Sequence, residues 1–155
     1  MFKKSIFLVV LLVLVGNVFG QVITLDSLRK QNANGVPLLL GQVVTVQGTV
    51  TTQGELGAPL VYLQSPTAGT ACYDATFGAG VVRGDSVQVT GTVVHYNGLT
   101  ELQPVSAFNI ISTNKTTTPV NVTPTQAREN GETYEGRLIK ISGITAVKTT
   151  SGVLA

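Results

Sequence analysis

Tryptophan is absent from this 155-residue chain, and histidine, cysteine and methionine occur once each. A single cysteine rules out an intrachain disulfide. Metal sites draw on several His, Cys or carboxylate ligands, and His95 has no sequence-near partner, so it reads as a plain strand-end residue. Cys72, between Thr70-Ala71 and Tyr73, reads as a small buried member of a strand. Charge is scarce, at 12% of residues, and the carboxylates Asp74, Asp85 and Glu101 show no spacing that suggests a general acid–base pair. Asp85, following Gly84, suits a turn cap. Ser65 and Ser86 have no His partner. These absences argue against a self-contained enzyme and predict neither cofactor nor metal.

Long hydrophobic runs are missing except at the N-terminus. Lys3 and Lys4 precede an apolar stretch from Ile6 to Val15, and Val18-Phe19-Gly20 supplies a cleavage site before Gln21. That layout predicts a signal peptide over 1–20, because the run is shorter than the roughly 20 residues that span a bilayer. The product would be secreted, periplasmic or held at the cell surface, with no transmembrane anchor in the mature chain. No cysteine follows the site, which argues against a lipoprotein. Lys3 and Lys4 also carry the whole positive surplus, leaving eight basic and eight acidic side chains. A neutral mature chain lacks the broad positive footprint of a strong nucleic-acid binder.

What the sequence does have is β-branched residues punctuated by glycine. Gly-x₆-Gly recurs from Gly41 to Gly48, from Gly84 to Gly91 and from Gly136 to Gly143, each time with alternating apolar and polar residues between. Glycine inside a strand marks a bulge or a sharp bend, as barrel corners require. Thr24 is placed to cap a short helix that ends by Gly35. Leu38 to Val50 reads as one long bent strand, and Leu60–Gln64 and Thr70–Asp74 as two more. Phe77-Gly-Ala-Gly80 is too glycine-rich for a helix and reads as a connection. Asn97-Gly98 predicts a two-residue hairpin joining Val93–Tyr96 to Leu99–Leu102, and Phe108–Ile111 is the last strand-like piece before a Thr-, Pro- and Asn-rich linker. Within that linker Asn114 and Asn121 match the N-glycosylation pattern, which matters only in a eukaryotic secretory route.

After the linker the opening repeats. Thr125 to Gly131 echoes Ser27 to Gly35, and Gly136 stands 95 positions after Gly41. The expected organisation is a signal peptide at 1–20, a helical segment at 21–37, a barrel at 38–112, a linker with a short helix at 113–133, and the incomplete start of a second similar domain at 134–155.

The run from Gly41 to Val105 resembles the OB-fold domains that accompany secreted bacterial nucleases and related exported proteins. The resemblance is carried by Gly41-x-x-Val44-x-Val46-x-Gly48-x-Val50, Val61-Tyr62-Leu63-Gln64, Gly69-Thr70-Ala71-Cys72-Tyr73, Arg83-Gly84-Asp85-Ser-Val87-x-Val89-x-Gly91-x-Val93 and Tyr96-Asn97-Gly98-Leu99-Thr100-Glu101-Leu102. One departure is Ser65-Pro66-Thr67, where such domains often carry an Asp and then a Gly pair. The implied fold is mainly β: a five-stranded Greek-key barrel with a short N-terminal helix, followed by the truncated start of a second one.

The implied function is a non-catalytic binding module for single-stranded nucleic acid, polysaccharide or another extracellular polymer, accessory to a catalytic domain downstream in the polypeptide. Period-2 alternation turns Val61, Leu63, Thr70 and Cys72 inward, and Tyr62, Gln64, Ala71 and Tyr73 outward. Tyr62, Gln64, Tyr73, Arg83 and Tyr96 form the expected ligand-binding face, with Arg29 and Lys30 as further phosphate contacts. The same tyrosines also suit plain cross-strand pairs that stabilise the sheet. A structural spacer or adhesion domain of a multidomain surface protein fits the neutral charge equally, and an exported protein binding a cation or small molecule is a third reading.

Overall fold

The chain leaves its first barrel strand for an antiparallel hairpin partner and returns to that strand four elements later. The computed structural model describes residues 22–145; the expected signal peptide and the end of the second repeat lie outside them. In chain order the elements are β1 (Val22–Ile23), α1 (Leu25–Leu28), β2 (Val43–Val50), β3 (Leu60–Gln64), β4 (Gly69–Tyr73), α2 (Ala75–Gly80), β5 (Ser86–Tyr96) and β6 (Leu99–Ser112). They continue with β7 (Val120–Val122), α3 (Pro124–Glu129), α4 (Gly131–Tyr134) and β8 (Ile139–Ile141).

β2, β3 and β4 form an antiparallel meander, β4 runs parallel to β6, β6 pairs antiparallel with β5, and β5 pairs back onto β2. The sheet is thereby a closed five-stranded barrel of Greek-key connectivity, which is the OB-fold. Period-2 alternation fills it: Val87, Val89 and Val93 of β5 meet Val46, Val61 and Leu63 with no side chain accessible beyond 1%. β1 adds to β2 in parallel, and α1, capped by the Thr24 hydroxyl on the Ser27 N–H, seats Leu25 and Leu28 in the same core.

The glycine pattern resolves into distinct jobs. Gly48, opposite Val87 of β5, sits one residue before β2 also begins to pair with β3, and a Cβ there would press on Leu63 at 3.1 Å. Gly91 sits in the irregularity where β5 slips against β6, with the Pro104 carbonyl 3.0 Å from the position of a Cβ. Gly41 is not inside a strand. It occupies a turn with φ +78°, so the expected long strand from Leu38 begins only at Val43. Asn97 and Gly98 both take positive φ and close the expected hairpin, with Tyr96 opposite Leu99.

Three further expectations change. α1 ends at Leu28, and the Asn32–Gly35 stretch is a separate turn in which the Asn32 side chain accepts from the Asn34 and Val36 N–H groups. β6 continues through Pro104 as one 14-residue strand, because the irregularity beside Gly91 absorbs the proline. The glycine-rich stretch after Asp74 is the helix α2. Each glycine costs about 1 kcal/mol relative to alanine in a helix, but Phe77 is wholly buried and meets the Phe108 ring edge-to-face at 5.2 Å. Burying a phenylalanine contributes roughly 1.5–3 kcal/mol, and the Asp74 carboxylate accepts from the Thr76 and Phe77 N–H groups at 2.9 Å. The glycines also let α2 lie close: a Cβ on Gly80 would stand 2.6 Å from the Phe108 ring.

The stretch after the barrel has elements in the same order as the opening. β7 and β8 pair in parallel with Val122 opposite Ile141, as Ile23 stands opposite Val46 in β1 and β2. Thr123 caps α3, with Gln126 completing a capping box, as Thr24 caps α1. The stretch expected as linker thus contains β7.

Because Asp74 satisfies two helix N–H groups at once, Asp74→Ala is expected to lower stability by about 1 kcal/mol. Urea unfolding with an unchanged slope would register it; an unmoved midpoint would mean that Phe77 holds α2 without its cap.

Candidate ligand-binding face

The outer face of β3, β4 and β6 is laid out by strand register. Tyr62 stands opposite Ala71, and Ala71 opposite Glu101, so the three share one row. Leu60 stands opposite Tyr73 in the next row, diagonal to Tyr62. The Asn97-Gly98 turn brings β5 back beside β6 and sets Tyr96 against Leu99. Together Leu60, Tyr73, Tyr96, Leu99, Glu101 and Gln103 line a hollow of about 450 Å³. Tyr73 and Tyr96 remain 43% and 63% exposed along it, whereas Glu101 is only 3% exposed.

Glu101 is the most unusual group of this face. The ion pairs among the described residues use Glu55, Glu129, Glu132 and Glu135, and none reaches Glu101. Burial without a cation pushes its carboxyl pKa up. The Tyr62 hydroxyl is also raised, first by burial and then by the neighbouring Glu101 charge. Burial likewise holds the inward Cys72 thiol far above its ordinary value, as suits a packed rather than a reactive sulfur.

The expected face residues are not all in one place. Tyr73 and Tyr96 share the hollow. Tyr62 lies beside the segment that enters β8 and lines a depression with Gly136, Arg137, Leu138 and Ile139. Gln64 points outward as alternation requires, yet it is buried, and its Oε1 accepts the Leu138 N–H at 2.6 Å. Arg83 is apart from the tyrosines: it pairs with Glu55 and borders a groove of about 470 Å³ with Thr51, Thr52, Asn114 and Lys115. Arg29 is paired internally with Glu132 and Glu135, and desolvation lowers its pKa against the opposing pull of Glu132.

The segment from Glu135 to Leu138 is a strap over one half of the face. Glu135 accepts the Thr100 N–H at 3.3 Å, Arg137 donates to the Pro66 carbonyl at 2.8 Å, and the Gly69 and Gly136 backbones touch, so a Cβ on Gly69 would collide with the Gly136 carbonyl. Sequence reading passed over this strap and gave Glu101 no role. Alternation carried one strand further, beyond the Asn97-Gly98 turn, puts Leu99, Glu101 and Gln103 on the outer side with the tyrosines, and that was the available signal for Glu101.

No protein-family model and no curated protein matches the sequence. Among solved structures, the chain is similar to asparaginyl-tRNA synthetase from Pyrococcus horikoshii at 20% identity and a TM-score of 0.42, over 50% of this chain and 20% of that one. It thus spans about a fifth of the synthetase's length. It is similar to the hypothetical protein ygiW from E. coli at 17% identity and a TM-score of 0.43, over 59% of this chain and 91% of that one. It is also similar to the S. pombe Stn1-ten1 complex at 10% identity and a TM-score of 0.41, over 62% and 80%. Strand order, rather than these likenesses, establishes the OB-fold.

The raised carboxyl of Glu101 fixes the sign of a pH effect. The folded chain holds this proton more tightly than the unfolded chain, so Glu101 subtracts stability as pH rises from the ordinary carboxyl range through its raised value. Glu101→Gln is therefore expected to raise the thermal midpoint at neutral pH, with the gain vanishing at acid pH. A lowered midpoint at neutral pH would show that the carboxylate has a stabilising partner.

Proposed function

We propose that this protein is an exported, non-catalytic OB-fold module that binds an extracellular polymer and serves a catalytic domain in the same polypeptide. The observation that carries the reading is the meeting of Tyr73 and Tyr96 in one hollow on the outer face of the barrel, where neither ring is needed to fill the core. Exposed tyrosines offer stacking surfaces for bases or sugars, worth roughly 1–3 kcal/mol per base. The barrel carboxylates suit binding better than acid–base work: Asp74 caps α2, Asp85 accepts the Val82 N–H at 2.9 Å, and Glu101 stands alone in the hollow. The repeated strand–helix–strand unit from β7 to β8 supports a multidomain chain of which this barrel is one module.

Two polymer classes divide the surface between them. The tyrosine hollow is lined by no lysine or arginine, which favours polysaccharide there. The neighbouring groove holds Arg83 and Lys115, the arrangement that favours a phosphate backbone and hence single-stranded nucleic acid. A spacer role is favoured by a different observation, the strap that occupies the Tyr62–Gln64 half of the face.

Binding of a labelled single-stranded oligonucleotide and of a hexosamine oligomer, followed at low salt, separates these readings. Saturable binding is expected, weakened about tenfold by Tyr73→Ala or Tyr96→Ala, the loss that stacking of this strength predicts. Tyr62→Ala should change it little, since the strap borders that ring. Binding that is indifferent to Tyr73 and Tyr96 removes the proposed seat, and no binding of either polymer leaves the spacer role.

A further inference from the structure

We propose that the tyrosine hollow selects an ammonium-bearing sugar ring, so that the polymer it recognises is a hexosamine chain with free amino groups. This rests on the reading of the hollow as a polymer seat and names which polymer it takes. The inference starts from Glu101, a residue only 3% exposed that lines the wall of an open hollow rather than the inside of the barrel.

Buried carboxylates are ordinarily paired with a cation or held by backbone N–H groups. The other withdrawn acid of the barrel, Asp85, follows that rule in part, with Oδ2 on the Val82 N–H and Oδ1 without a partner. Glu101 does not: among the described residues it has no ion-pair partner, and no lysine or arginine lines its hollow. Its strand neighbours cannot help. Thr100 and Leu102 point into the core, and the residues opposite Glu101, Ala71 and Val94, carry no charge. The missing partner is a positive charge, and the hollow is the route by which one can arrive.

The rest of the wall narrows the chemistry. Tyr73 and Tyr96 supply electron-rich faces that attract an organic cation and also suit the C–H face of a sugar ring. Gln103 adds an amide that can donate to or accept from a hydroxyl. Leu60 and Leu99 complete the wall with apolar surface, and the lining has no cation for phosphate. A nucleic-acid strand laid here would bring its negative backbone toward an unneutralised carboxyl. An amino sugar satisfies the ring surfaces and the carboxyl together.

The discriminating experiment is calorimetric titration of the purified protein with a glucosamine hexamer and with the N-acetylglucosamine hexamer, in a buffer that keeps the free amines protonated. The two share length, linkage and ring shape, and differ in charge and the acetyl group. The glucosamine hexamer is expected to bind at least about tenfold tighter, the size of effect assigned to charge-assisted contacts at a desolvated site. Glu101→Gln should bring the two within about twofold of each other, while Tyr96→Ala should weaken both. Equal binding of the two hexamers by the unsubstituted protein, or a preference for the acetylated one, overturns cation selection and leaves the polymer seat standing. A preference that survives Glu101→Gln also overturns the role of the carboxyl. Failure of both hexamers to bind removes the polysaccharide seat itself.

Discussion

The parallel pairing of β4 with β6 is the constraint on which the rest of the structure depends. It is short, with Ala71 opposite Glu101 and Cys72 opposite Leu102, and the Thr70 hydroxyl reinforces it by donating to the Thr100 carbonyl at 3.1 Å. Without it the chain has a three-stranded meander and a long hairpin joined only through β2. With it the sheet closes, the edges of β4 and β6 are covered along that stretch, and Cys72 and Leu102 are sealed from water. The same two pairs place Glu101 beside Ala71 on the outer face and draw the Tyr96–Leu99 turn toward Tyr73. One contact thus both completes the core and creates the hollow.

That economy has an electrostatic consequence. The position opposite Ala71 is required by register to face outward, yet closure leaves it little access to solvent. An apolar residue there would cost nothing, whereas glutamate carries a desolvation penalty that raises its own pKa, and its charge adds to the burial that raises that of Tyr62. Single residues that oppose the local packing logic concentrate where a protein does something besides fold. Glu101 is such a residue, and its position between two exposed tyrosines connects the penalty to the open part of the face.

Much of this was legible in the sequence, and the limits follow from range. Alternation identified the inward residues of β3 and the outward tyrosines, because period-2 patterning is local. Asn97-Gly98 announced its hairpin for the same reason, and the glycines of the repeated motif announced corners without saying which strands turn there. The β4–β6 closure was implied only by resemblance, since a parallel pairing across about thirty residues leaves no local signature. The glycines of α2 argue against a helix on propensity alone, while Phe77 and the Asp74 cap outweigh that cost once Phe108 lies alongside. The separation of Arg83 from Tyr73 and Tyr96 was invisible, because sequence order says nothing about which side of a barrel a loop reaches. So was the strap, whose contacts join residues about seventy positions apart, such as Gln64 and Leu138.

The strap ties the internal repeat to the face. Gly136 corresponds to Gly41, and both take positive φ in a turn that leads into a strand, with φ +70° and +78°. In the first unit that turn has open space around it; in the second it is pressed against Gly69 so closely that neither position has room for a Cβ. A turn glycine retained for its backbone conformation has acquired a second use, as the flat surface by which one unit touches the next. Arg29 from the first unit clasps Glu132 and Glu135 from the second, and Glu135 in turn caps the Thr100 N–H, one residue before Glu101. The chain therefore divides one sheet face between two purposes. The Tyr62–Gln64 half meets the strap, and the Tyr73–Tyr96 half stays open beside Glu101, which no ion pair among the described residues reaches.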